Sequence, residues 1–120
     1  MNKQKFIKGC LTASLVLLLG ACHSNAQRPD TLAVQARESV KKAESAGAAQ
    51  KAPLALRDAD QYLSKADEAI EEKDYEEAQF LLEKSMINSE LAIARSNAVD
   101  AKKAAEEINK NLNTLQNEIE

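Results

Sequence analysis

This 120-residue chain reads as an all-α protein: an elongated antiparallel helical hairpin with a long C-terminal helix, a kinked or third N-terminal helix, and coiled-coil-like packing. Three observations point there. Alanine, glutamate, lysine and leucine dominate, and no Gly or Pro follows Pro53, a composition of long helices rather than sheets. Apolar residues recur at alternating spacings of three and four over most of the second half. Only two short stretches, Gly47–Pro53 and Lys73-Asp74, interrupt that pattern.

The elements follow in order. Asp30 is expected to cap a first helix reaching about Ala48, with Ala33, Ala36, Val40 and Ala43 as a narrow apolar stripe. Pro53 lacks an N–H and disfavours helix just before it, so a break belongs between Gly47 and Pro53. The same residue suits the first turn of a second helix, expected to reach about Glu72. Its seam is Leu56, Ala59, Leu63, Ala66 and Ile70. Asp74 with Glu77 resembles a capping box and opens a third helix at about Tyr75. Nothing breaks that helix before Glu120, a length of about 69 Å at 1.5 Å per residue.

Two stripes mark the third helix. Ten positions at heptad spacing are all apolar: Ile87, Leu91, Ala94, Ala98, Ala101, Ala105, Ile108, Leu112, Leu115 and Ile119. A second stripe, Ala78, Leu82, Ser85, Ser89 and Ala92, lies elsewhere on the cylinder. The tight Lys73-Asp74 turn makes helices two and three antiparallel neighbours, pairing Ala66 with Leu82, Leu63 with Ser85 and Leu56 with Ala92. If helix one continues in line with helix two, Ala43 meets Ala105, Val40 meets Ile108, Ala36 meets Leu112 and Ala33 meets Leu115. That small-against-large pairing favours the extended hairpin with a kink in its first arm. Two rivals stay open: a compact three-helix bundle with helix one folded back, and an oligomer formed through the Ile108–Ile119 seam.

The N-terminus has its own pattern. Lys3, Lys5 and Lys8 precede a ten-residue apolar run, Cys10 to Leu19. That run is short of the roughly 20 residues a membrane span needs, so it reads as an export segment. Leu19-Gly20-Ala21-Cys22 follows it. With these features, residues 1–22 resemble the signal peptide of bacterial lipoproteins. The resemblance implies cleavage between Ala21 and Cys22, acylation of Cys22, a lipidated tether over residues 22–30 and a helical domain over 31–120. His23 follows Cys22 where Asp would mark inner-membrane retention in well-studied relatives, so the outer membrane, facing the periplasm, is expected. Cys10 then leaves with the signal, and no thiol or disulfide remains.

Removing Lys3, Lys5 and Lys8 from the 16 basic residues leaves 13 against 19 acidic, a net charge of −6. A net acidic chain does not point to nucleic acid. His23 is the lone histidine, and without thiols it offers no zinc ligand set. The carboxylates from Asp67 to Glu77 lie on regular helix and diverge, unlike a calcium loop. No Gly-rich phosphate loop or Ser-His-Asp set occurs. No catalytic residue, metal, cofactor or small-molecule substrate is expected, and the chain is not expected to be an enzyme. The candidate contact face is Phe80, Met86, Ile87 and Ile93. Tyr62, Tyr75 and Phe80 are expected to pack near the hairpin tip.

Residues 53–101 resemble an envelope lipoprotein family of unknown function with an alanine-rich helical hairpin. The matching residues are Ala59, Leu63, Ala66, Lys73-Asp74-Tyr75-Glu76-Glu77-Ala78, Leu81 or Leu82, Leu91, Ala92 and Ala94. Relatives sometimes carry an OmpA-like wall-binding domain after the hairpin; with Glu120 as the last residue, wall binding by that route is not expected. The Asp74–Ala78 turn is also similar to the inter-helix turn of tetratricopeptide repeats, but a single unit makes no array. In layout the chain resembles the major outer-membrane lipoprotein of enteric bacteria, without its C-terminal lysine. These resemblances imply a membrane-anchored structural or scaffolding protein, or alternatively an adaptor that binds an envelope protein, or a second copy, through an apolar helix face.

Overall fold

The computed structural model of the chain describes residues 26–119. The expected signal segment, with Ala21 and Cys22, lies outside the described residues. About nine-tenths of the described residues are helical and none forms a strand. The helices are α1 (Asp30–Ser45), the single turn α2 (Ala48–Lys51), α3 (Pro53–Glu71) and α4 (Tyr75–Ile119). The all-α, elongated architecture with a long last helix is therefore as the sequence predicts.

Local chemistry sets the boundaries. Asp30 is the first residue of α1 rather than its cap; Pro29 holds that place and no side chain caps the helix. The Asp30 carboxylate instead pairs with Arg28 at 2.9 Å and sits against the positive end of the helix dipole. Pro53 occupies the first turn of α3, where its missing N–H costs nothing. At the end of α3 the Asp74 N–H donates to the Ala69 carbonyl (2.9 Å) and Lys73 N–H to that of Ile70 (3.2 Å), a Schellman closure. It requires Lys73 to take a left-handed φ of 62°. The Asp74 carboxylate then accepts the Glu77 N–H at 3.2 Å and starts α4. One three-residue link thus stops one helix, reverses the chain and begins the next.

Helix α1 does not continue in line with α3; it folds back. Two buried clusters show this. One joins the start of α1 (Ala33, Ala36) to the end of α3 (Ala66, Ala69) and the start of α4 (Ala78, Leu82). The other joins the end of α1 (Val40, Ala43) to the start of α3 (Ala55, Leu56, Ala59) and to Ala92 of α4. Helix α1 is therefore antiparallel to α3 and parallel to α4, forming a three-helix bundle. The expected pairings of Ala33, Ala36, Val40 and Ala43 with Leu115, Leu112, Ile108 and Ala105 do not occur, because all four α4 positions are exposed. The cause is the link. Gly47 adopts φ +77°, and Ala52, held out of helical geometry by the following proline, adopts φ −143°. Two irregular residues on either side of α2 turn a kink into a reversal.

The α3–α4 register agrees with the sequence pairing. The buried Ser85 hydroxyl donates to the Ala59 carbonyl at 2.9 Å, across the interface. Ser89 and Ser96, also fully buried, donate back to the Ser85 and Ala92 carbonyls of their own helix, so no buried hydroxyl is left unpaired among the described residues. Only Val40, Leu56, Leu81 and Leu82 among the buried hydrophobic residues are larger than alanine. The core gains little area per residue and works by close approach.

Ion pairs fasten the edges. Arg37 of α1 meets Asp67 of α3, and Lys51 of α2 meets Asp100 of α4. Asp60 of α3 has the opposite fate: partial burial, then the Glu44 charge, raises its carboxyl above the ordinary 3.8. A raised carboxyl pKa means that the folded chain holds the proton more tightly than the unfolded chain. Ionised Asp60 therefore costs stability at neutral pH, and the cost fades as pH falls through the raised pKa. Asp60→Asn is expected to raise the melting temperature at pH 7. That gain should vanish near pH 3, which paired thermal melts would check.

Candidate functional site

The bundle covers α4 only as far as Asp100. Residues 101–119 are all exposed and project as a lone helix about 28 Å long. Within the bundle, α4 buries Ala78, Leu81, Leu82, Ser85, Ser89, Ala92 and Ser96. The ten-residue heptad seam, of which Ala105, Ile108, Leu112 and Leu115 were expected to pack on helix one, points the other way. Ile87 and Leu91 each stand two residues, about 200° of rotation, from buried Ser89, and Ala94 and Ala98 stand likewise from Ser96. Ile87, Ile108, Leu112 and Leu115 are more than half exposed, Leu91 is 40% exposed and Ile119 is 84% exposed.

The two faces diverge in composition past the bundle. The row that buries Ser89 and Ser96 continues, at seven-residue steps, as exposed Lys103 and Lys110. The outward row stays apolar to Ile119. The inner face thus becomes solvent-adapted where its partners end, while the outer face does not. This is the signal that separates them in the sequence. Small size, rather than apolarity alone, marks the face against which alanine-rich neighbours can close.

The four candidate contact residues do not form one patch, although Met86 and Ile87 line a common hollow. Phe80 (50% exposed) and Ile87 (63%) lie on the outward row. Met86 and Ile93 are half-buried and lean on the two core clusters at the bundle flank. Lys84 lies 4.4 Å from the Phe80 ring centroid and 5.3 Å from that of Tyr62, a cation over two aromatic faces. Tyr62 packs against the core cluster near the tip, and Tyr75 is half-buried. Met86 and Glu90 also line an open groove of about 520 Å³ between α1 and α4, with Val34, Glu38 and Lys42. Beside it a shallower apolar hollow of about 260 Å³ is lined by Leu32, Met86 and Ile87 and rimmed by Glu83 and Glu90. A third groove, near α1's start, is lined by the Arg37–Asp67 pair, Arg28 and Glu71, mixed charges that select neither sign.

The acidic stretch is dispersed: Asp67 is paired to Arg37, Asp74 caps α4, and Glu68, Glu71, Glu72, Glu76 and Glu77 are exposed. Among the described residues no three His, Cys, Asp or Glu side chains converge as a metal site would require, and no helix is long and apolar enough to cross a membrane. The geometry offers contact surface: a bundle with a smooth, apolar outer row on one long helix.

A family model described as a domain of unknown function, DUF4398, matches residues 31–108. The chain belongs to the DUF4398 family. Searches among curated proteins and among solved structures give no match. The DUF4398 match takes in all three bundle helices and the first turns of the projecting segment, ending at Ile108. The DUF4398 unit is thus the bundle itself, and most of the free end of α4 lies beyond it.

Proposed function

We propose that this DUF4398 chain is an outer-membrane-anchored periplasmic lipoprotein with a structural or scaffolding role in the cell envelope. The observation that carries the reading is Leu19-Gly20-Ala21-Cys22, set directly after a lysine-bearing start and a ten-residue apolar run. Acyl chains on Cys22 would supply a stable anchor, since each buried CH₂ adds about 0.8 kcal/mol and more than one chain is attached.

The polarity of the bundle supports the reading. Helix α1 begins beside the α3–α4 turn, as the Ala33–Ala66–Ala78 cluster shows. A tether from Cys22 to Asp30 reaches at most about 27 Å. An anchor there would hold the turn end near the membrane, while α4 runs about 68 Å away from it. The apolar outer row would then face envelope components at a distance from the bilayer. The adaptor reading, contact with one specific protein through that row, is favoured by the exposure of Phe80, Ile87 and Leu91 together.

Substituting Cys22 tests the anchor. Cys22→Ser is expected to leave a precursor that keeps residues 1–21 and takes up no labelled palmitate. Normal processing and labelling in that variant would overturn the proposal.

A further inference from the structure

We propose that the outward row of α4 is a self-association seam, on which a second copy of this chain packs as a parallel, in-register coiled coil. The inference deepens the reading of this row as a contact surface and does not depend on the lipid anchor.

The period of the row selects a helix as its occupant. From Ile87 to Ile119 it keeps strict seven-residue spacing for more than four heptads, which only another helix wound at the same pitch can follow. The projecting part also needs a neighbour to be stable, because a lone helix of this length is marginal in water. A sister α4 carries the same repeat over the same length. The bundle leaves room for it: α1 and α3 bury the opposite side of α4, and α1 reaches the seam only at its near end, where Leu32 shares a hollow with Ile87 and Glu90 while Ile87 stays 63% exposed. Covering the outward leucines and isoleucines on two copies, with the alanines between, removes on the order of 1,500 Å² from water. Stable protein interfaces bury about 1,200–2,000 Å².

Charge sets the direction. With Leu91 and Leu112 at a positions and Ile87 and Ile108 at d, Glu90 falls at g and Arg95 at the following e. A parallel pair brings Glu90 of each copy against Arg95 of the other, twice, and sets no like charges across the seam. The antiparallel alternative with all layers filled would oppose Glu90 to Glu118 twice and Lys102 to itself. Neither Glu90 nor Arg95 has an ion-pair partner among the described residues. The alanine layers from Ala94 to Ala105 let the two backbones approach closely at mid-seam.

The test uses the full chain in freshly lysed cells, soluble and membrane fractions together, oxidised with a copper catalyst. Leu112→Cys is expected to give a disulfide-linked species of twice the chain mass, because a parallel pair brings matched seam positions within the ~7 Å Cα separation a disulfide tolerates. Lys110→Cys, on the far side of the same helix, should link no more than the parent chain with its own cysteines. Adding Glu90→Arg should reduce the Leu112→Cys product several-fold, and adding Arg95→Glu as well should restore it. The proposal is overturned if Leu112→Cys links no better than Lys110→Cys. It is equally overturned if the adduct holds a different protein. Linkage only between an Ala94→Cys copy and a Leu112→Cys copy would also overturn it, since those positions lie about 27 Å apart along a parallel pair. Repeating the assay on Cys22→Ser separates the two readings: linkage that persists there supports the seam whatever the fate of the anchor.

Discussion

Leu82→Ala is expected to destabilise the bundle by about 3 kcal/mol, a fall in melting temperature of more than about 10 °C. Leu82 is fully buried between α1, α3 and α4, in the cluster that holds the turn end together. Five of its six buried neighbours there, Ala33, Ala36, Ala66, Ala69 and Ala78, have no rotatable side chains; only Leu81, and larger residues such as Leu63 and Met86 at the cluster's edge, could shift toward the space. Much of the cavity left by the missing isopropyl group would persist, which places the cost at about 3 kcal/mol, inside the range of about 2–5 kcal/mol for such truncations. The control is chemically identical. Leu54→Ala removes the same atoms from a leucine that is 59% exposed in the first turn of α3, and it should change stability by less than about 0.5 kcal/mol. Thermal melts of the two variants side by side check the assignment. A Leu82→Ala protein that melts within 3 °C of the parent would mean that the helices do not meet as described.

The contrast between these two leucines also shows what sequence pattern could and could not reveal. Helix boundaries were legible because they depend on neighbours in the chain: Pro53 starts α3, and Asp74 caps α4. The α3–α4 register was legible because a three-residue turn leaves little freedom in the pairing, and Ser85 duly reaches Ala59. The direction of α1 was not. Its alanine stripe fits the far end of α4 as well as the near end, so the pairing of Val40 with Ile108 satisfied periodicity as fully as the observed cluster with Leu56 and Ala59. The decision rests on two backbone angles, at Gly47 and Ala52, that no side-chain pattern reports. The far half of α4 was misassigned for a related reason. The stripe through Ser85 and Ser89 was rightly set against α3, but heptad counting weights apolarity, so Ala105, Ile108, Leu112 and Leu115 were expected to pack on helix one, whereas all four are exposed. A core of alanines weights size, and the serines, with hydroxyls folded back onto carbonyls, are small enough to let the helices close. For the candidate contact face, apolarity brought together residues of unlike exposure. Phe80 and Ile87 point outward, whereas Met86 and Ile93 lean on the core.

If close approach is what holds the bundle, enlarging an alanine should harm it as much as truncating a leucine. Ala59→Leu is the sharpest case. Ala59 is fully buried, and its own carbonyl is within 2.9 Å of the Ser85 hydroxyl on the facing helix. There is no room for three more carbons without moving α3 away from α4, which would break that bond and open the contacts of Leu56 and Ala92 in the same cluster. Overpacking costs about 1–3 kcal/mol where side chains can adjust. Here the obstacle is backbone, so about 3 kcal/mol or more is expected, with a melting temperature lower by more than about 10 °C. A gain in apolarity would thus produce a loss in stability, the opposite of what simple burial of a larger hydrophobic side chain predicts. Ala49→Leu adds the same three carbons at an exposed alanine of α2 and should shift stability by less than about 0.5 kcal/mol. Equal melting temperatures for the two variants would show that α3 and α4 stand far enough apart to accept a leucine, and the alanine-and-serine interface would then have to be abandoned as the basis of this fold.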